Sequence, residues 1–137
     1  KRVRTHVDFT EKVLNNMLRE DVLSIVLGHH ERGDGMGYPR KFKAHQMSQE
    51  QKVLQVADVV TGMTNRRSYR QPLGKEQVIG VLNEEAARNR LDKQAVTTFV
   101  NFYDNIMQDV QKKSVEVMRT YQLLNSQYAQ LSKRFKM

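Results

Sequence analysis

The chain has 137 residues, with 23 Lys and Arg against 15 Asp and Glu, 39% apolar residues, 28% charged residues and no cysteine. These proportions exclude a disordered chain and a membrane-embedded one, and without thiols any metal falls to imidazole and carboxylate. The net charge of +8 is densest between Arg32 and Arg70, where eight basic residues stand against three acidic ones, and no apolar run is long enough for a signal core or a bilayer span, so a cytoplasmic protein with no membrane partner is expected.

Val13, Leu14, Met17 and Leu18 keep a helical spacing. Val22, Leu23, Ile25 and Val26 repeat it after the polar break Arg19-Glu20-Asp21, where Asp21 can serve as N-cap, so the start of the chain reads as a helical hairpin. From Glu31 to Ser48 come three of the seven glycines and one of the two prolines, which is loop composition. Ser48 and Gln51 supply a capping box for a third helix that carries Val53, Leu54, Val56, Ala57, Val60 and Met63 and ends near Asn65. Pro72 and Gly74 mark a turn. A fourth helix from Lys75 to about Arg90 buries Val78, Ile79, Val81 and Leu82, and Asp92 caps a fifth.

The expected fold is all-α: a bundle of about five helices over residues 1–100, followed by a long C-terminal helix over 101–137. In that extension Ser114, Val117, Tyr121, Leu124, Tyr128, Leu131 and Phe135 alternate spacings of three and four, the period of a coiled-coil seam. Tyr103, Ile106 and Val110 form an earlier register, displaced as a stutter would displace it. The seam holds two Tyr and a Ser where a strong zipper has Leu, Ile or Val, so packing within one chain and a homodimer stand as equal readings.

The chemistry-bearing residues gather around the loop. His29 and His30 are adjacent, and a hairpin turning near Arg19 to Asp21 brings His6 close to His29. Neighbours on a helix point about 100° apart, which makes His29 and His30 poor joint ligands for one ion and suits two ions ~3.5–4 Å apart. On spacing alone, surface or capping roles for these histidines stand beside the metal role. The basic cluster likewise reads either as a solvated face or as a phosphate-binding one.

The string His29-His30-Glu31-Arg32-Gly33-Asp34-Gly35-Met36-Gly37-Tyr38-Pro39 resembles the HHE-x-x-D-G-x-G-Y-P signature of the HD-GYP family, metal-dependent phosphodiesterases of cyclic di-GMP. Nineteen residues after Pro39 comes Asp58, in a stretch from Ala57 to Arg70 that is similar to the family's A-D-x-x-x-A-L-T-x-x-R-x-Y-R block. His6 sits where the family has the histidine of its H-P-x-x-G helix, so the resemblance covers roughly Arg2 to Val100. It implies His6, His29, His30 and Asp58 as metal ligands, two or three divalent ions with iron or manganese favoured, and hydrolysis of cyclic di-GMP to linear pGpG or GMP. It also implies phosphate contacts from Arg67 and Arg70 and guanine stacking by Tyr38. The ring of Tyr38 is expected to be preset by an unusual backbone angle at Gly37 and by Pro39. Asp34 is expected to brace the loop through a turn hydrogen bond, and His45 to be solvated.

Thr10, Gly62-Met63, Ser68 and Lys52 depart from the family pattern without removing a ligand position. The family's His-Asp pair precedes the position of His6, and no such pair occurs in this sequence, so the chain reads as the C-terminal half of the domain with the general acid expected upstream of Lys1. Two other functions compete. One is a catalytically incomplete module that binds cyclic di-GMP or docks a diguanylate cyclase through the Tyr38 loop. The other is a nucleic-acid binder, suggested by charge alone and disfavoured by the lack of a recognisable nucleic-acid motif. Retention of all four ligand positions favours the enzyme.

Overall fold

The computed structural model describes residues 5–65 and 71–134. In chain order the helices are α1 (Thr5–Leu14), α2 (Glu20–Leu27), α3 (Gln49–Thr64), α4 (Lys75–Ala87), α5 (Lys93–Asn101) and α6 (Tyr103–Arg134), with one 3₁₀ turn at Ala44–Gln46. Among the described residues extended pairing is limited to an isolated bridge between Asp34 and Lys43, so the fold is all-α with a long C-terminal helix, as the apolar periodicity predicts. The chain divides into two compact units, residues 1–100 and 101–137. No helix among the described residues is long and apolar enough to cross a membrane.

The first hairpin closes on Val7, Leu23 and Leu27, with Leu14, Leu18 and Tyr38 packed against them. Helix α1 starts earlier than its apolar spacing suggests and stops at Leu14; Met17 and Leu18 belong to the turn that follows, where both amides still reach the Leu14 carbonyl. Asp21 does not cap α2. The helix starts at Glu20 with Arg19 as N-cap, and the Arg19 guanidinium takes both carboxylate oxygens of Asp21, at 3.1 and 2.6 Å. Because the helix begins one residue before Asp21, that residue lies inside its first turn rather than ahead of it.

Local capping signals hold at α3 and α5. The Gln51 amide meets Ser48 Oγ at 3.3 Å and the Ser48 amide meets Gln51 Oε1 at 2.9 Å, completing the capping box, while the Ala95 amide donates to Asp92 Oδ1 at 3.0 Å. Lys52, which stands where the family pattern has arginine, pairs with Asp92 at 3.5 Å and ties α3 to the α5 cap. Helix α4 fully buries Val78 and Leu82, leaves Ile79 and Val81 half-buried, and ends at Ala87 rather than near Arg90. Asn89 takes φ 55°, the Arg90 amide returns to the Glu85 carbonyl at 2.9 Å, and the Asn89 amide returns to Ala86 at 3.1 Å. That paired return is a Schellman stop, with Asn in the left-handed place usually given to glycine.

Helix α6 runs 32 residues, about 48 Å at 1.5 Å per residue. Its seam residues Val117, Tyr121, Leu124, Tyr128 and Leu131 are between 52% and 74% exposed, and Phe135 lies outside the described residues.

Candidate active site

Helix α2 delivers the histidine pair by ending just before it. Gly28 is the C-cap, its amide shared between the Ser24 and Ile25 carbonyls, and the chain then leaves the helix. The angular separation expected of helical neighbours therefore does not apply to His29 and His30, whose ring centroids lie 4.0 Å apart. His6, in the first turn of α1, completes the group: its Nε2 is 3.3 Å from His29 Nε2. Each of the three histidines offers a ligand atom within 4.8 Å of the others.

Protonation follows from the partners. His29 Nδ1 lies 2.6 Å from the Val26 carbonyl, which can only accept, so Nδ1 carries the proton and Nε2 presents its lone pair toward His6. His30 Nδ1 lies 3.3 Å from Oδ2 of Asp58 on α3, and a carboxylate there fixes the other ring nitrogen, Nε2, as the donor atom. Burial holds the His30 pKa below the usual histidine value, and Asp58 opposes it. The neutral form, which is the ligating one, is thereby favoured.

This donor set suits a divalent ion. Two nitrogens ligating at about 2.0–2.1 Å stand roughly 2.9–3.4 Å apart in octahedral or tetrahedral geometry. The 3.3 Å between His6 and His29 falls in that range, and the adjacency of His29 and His30 allows one ion to engage all three. The ring of Tyr38 lies over His30 with centroids 4.7 Å apart, tilted by 36°. Together His29, His30, Tyr38, Asp58, Arg32 and Gln55 border an open cleft of ≈ 400 Å³. Arg67 and Arg70 lie outside the described residues. His45 is exposed on the 3₁₀ turn, as expected.

The HD domain family matches residues 1–95. The chain belongs to that family. Its HD domain is 33% identical over 72 residues to 3'3'-cGAMP-specific phosphodiesterase 1 of Vibrio cholerae, a match covering 53% of this chain and 17% of that protein. It is 27% identical over 88 residues to a probable cyclic di-GMP phosphodiesterase of the same organism (64% and 20%). It is also 42% identical over 53 residues to a cyclic di-GMP phosphodiesterase of Thermotoga maritima (39% and 14%). The matched part is thus a fifth or less of these relatives' own length.

The loop of the HD domain between His30 and Met47 is held by Asp34, as expected, and by residues to which the sequence assigns no role. Glu31 is 2% exposed, and its carboxylate accepts from the amides of Arg40 (2.6 Å), Lys41 (3.1 Å) and Phe42 (2.9 Å). Asp34 does brace the loop, accepting from the Met36 amide at 2.9 Å and from Arg90 Nε at 3.2 Å. Gly35 carries the left-handed backbone, at φ 77°. Gly37 does not: a Cβ there would stand 2.3 Å from the Arg32 nitrogen, so close backbone approach is what requires glycine beside Tyr38. From α3, Gln51 Nε2 reaches the Ser24 carbonyl at 2.9 Å and Gln55 Nε2 the Gly28 carbonyl at 3.4 Å, satisfying acceptors at the end of α2. Glutamines 51 and 55 lie one turn apart on an otherwise apolar face, a legible signal for buried amides. Glu85 and Arg90 carry no comparable signal, because their loop partners are more than 50 residues away.

Proposed function

We propose that this HD domain forms the metal-binding cleft of a phosphodiesterase that opens cyclic dinucleotides, with cyclic di-GMP as substrate and linear pGpG or GMP as product. The observation that carries this reading is the set of three imidazoles whose ligand atoms lie within 4.8 Å of one another, beside Asp58 and under Tyr38. His6, His29 and His30 would hold a divalent ion, with Asp58 orienting His30 or ligating in turn; the mixed nitrogen and oxygen donors suit iron or manganese, at two or three ions in the complete site. Once bound, such ions activate water and stabilise charge on the phosphodiester. The protein's own part is orientation. Val26 fixes the His29 tautomer, Asp58 that of His30, and Tyr38 offers a ring face at the cleft on which a purine can stack. Arg67 and Arg70, three residues apart in sequence, are assigned to the substrate phosphates.

The test is turnover of cyclic di-GMP and of 3'3'-cGAMP by the metal-loaded full-length protein, whose upstream region is expected to complete the site, with Mn(II) and Fe(II) compared. Cyclic di-GMP should be cleaved the faster, and His29→Ala and His30→Ala should abolish both turnover and metal binding. Tight binding of cyclic di-GMP without cleavage would replace the enzyme with a binding module, and failure to bind either dinucleotide would overturn the proposal.

A further inference from the structure

The charges bordering the cleft are unequal in what they leave available. The Glu31 carboxylate is occupied by three backbone amides, and Asp58 faces His30. Among the described residues bordering the cleft, Arg32 is the one Lys or Arg. Its side chain is 41% exposed, and its Nη1 donates to Oε2 of Glu85 at 2.7 Å. Glu85 is itself fixed: its other oxygen takes Arg90 Nη1 at 3.0 Å, and Arg90 Nε reaches back to Asp34 at 3.2 Å. The loop and the end of α4 therefore grip the Arg32 guanidinium by one corner. That corner is the right one to give up, because Nε–H and Nη2–H form the parallel fork that matches two oxygens of a phosphate.

We infer that Arg32, held by Glu85, is a specificity residue that grips the phosphate not being cleaved, so that the cleft selects diesters carrying a second phosphate over single diesters. The inference rests on the phosphodiesterase reading above. A cyclic dinucleotide has two phosphates: with one at the histidines, the other can take a cation on the cleft wall in addition to the contacts assigned to Arg67 and Arg70. Arg32 stands in the loop between His30 and Tyr38 and borders the same cleft as His29, His30 and the Tyr38 ring. Glu85 acts as a positioning residue, since it touches the guanidinium and does not border the cleft.

Two probes separate the roles: cyclic di-GMP, with two phosphates, and bis(p-nitrophenyl) phosphate, with one. In the metal-loaded full-length protein Arg32→Gln should raise both the dissociation constant and the KM for cyclic di-GMP about tenfold or more, while turnover of bis(p-nitrophenyl) phosphate and Mn(II) affinity stay within about twofold. Arg32→Lys, which keeps the charge and loses the fork, should recover only part of the loss, and Glu85→Gln should give a smaller rise of the same kind. Unchanged cyclic di-GMP binding in Arg32→Gln overturns the inference and leaves the phosphodiesterase reading intact. An equal loss on both probes also overturns it, because Arg32 would then serve the fold or the reacting phosphate. A parent protein that neither binds nor cleaves cyclic di-GMP overturns both together.

Discussion

Between Gly28 and Met47 the backbone makes only a single turn of regular helix, yet its polar groups find partners far along the chain: Gly33 on Arg90, Asp34 on Arg90, Arg32 on Glu85. Along α6 the backbone is regular for 32 residues, and side-chain bonds there are of the kind Thr120 makes to Glu116 and Ser126 to Leu123, within the same helix. The loop is irregular and cross-linked, whereas the helix is regular and its apolar seam is exposed. The contrast teaches that positional precision at the site comes from long-range polar anchoring, while helical regularity requires only local bonds and says little about packing.

The sharpest way to break this contrast is to remove the loop's central anchor. Glu31→Ala leaves three backbone amides without their acceptor and should cost about 3 kcal/mol in urea unfolding, with cyclic di-GMP binding lost. A cost below about 1 kcal/mol would mean the loop is anchored elsewhere. Next comes Asp58→Asn, which replaces one carboxylate oxygen by an amide. Calorimetry with Mn(II) should show affinity reduced about 10–100-fold if Asp58 orients His30, and reduced further if it ligates.

Acidification gives a smaller effect of defined sign. The native His30 pKa lies below the value near 6.5 that the unfolded chain shows, so the unfolded state binds more protons in the interval between the two. In the metal-free protein this contribution to stability is complete above about pH 6.5 and lost as pH falls through that interval. Denaturant midpoints at pH 7.5 and 5.5 should show the fall, and His30→Gln should flatten it.

The mildest change is Leu124→Asp with Leu131→Asp on α6, where the two leucines are 58% and 52% exposed. Sedimentation then tests the seam itself: if the three-and-four spacing marks a contact between copies, the parent is a dimer and the double variant a folded monomer. A parent that stays monomeric at high concentration removes the homodimer.

What could be read from the sequence follows the same division between local and distant. The helix starts at Ser48 and Asp92 are legible because cap and amide are three residues apart. The approach of His6 to His29 follows from where the hairpin turns. Asp21 misleads because the helix starts one residue before it, and Gly37 misleads because dihedral freedom and close packing leave the same residue in the sequence. The clamp made by Glu85 and Arg90 is silent for a different reason: an exposed-looking Glu and Arg on a helix end are indistinguishable from solvated ones until the chain has folded.

Gly28, just before the histidine pair, and Gly37, just before Tyr38, should behave differently in a genetic screen. A methyl group at Gly28 would meet Gln51 Nε2 at 2.9 Å, and Gly28 has an ordinary φ of −86°. The obstacle is the end of a side chain, so a shorter residue at position 51 can make room for Gly28→Ala, with loss of the capping box and of the bond to the Ser24 carbonyl. At Gly37 the obstacle is backbone, the Arg32 nitrogen at 2.3 Å and the Glu31 Cα at 2.5 Å. No side-chain change elsewhere can make that room, so selection for function after Gly37→Ala should return true revertants.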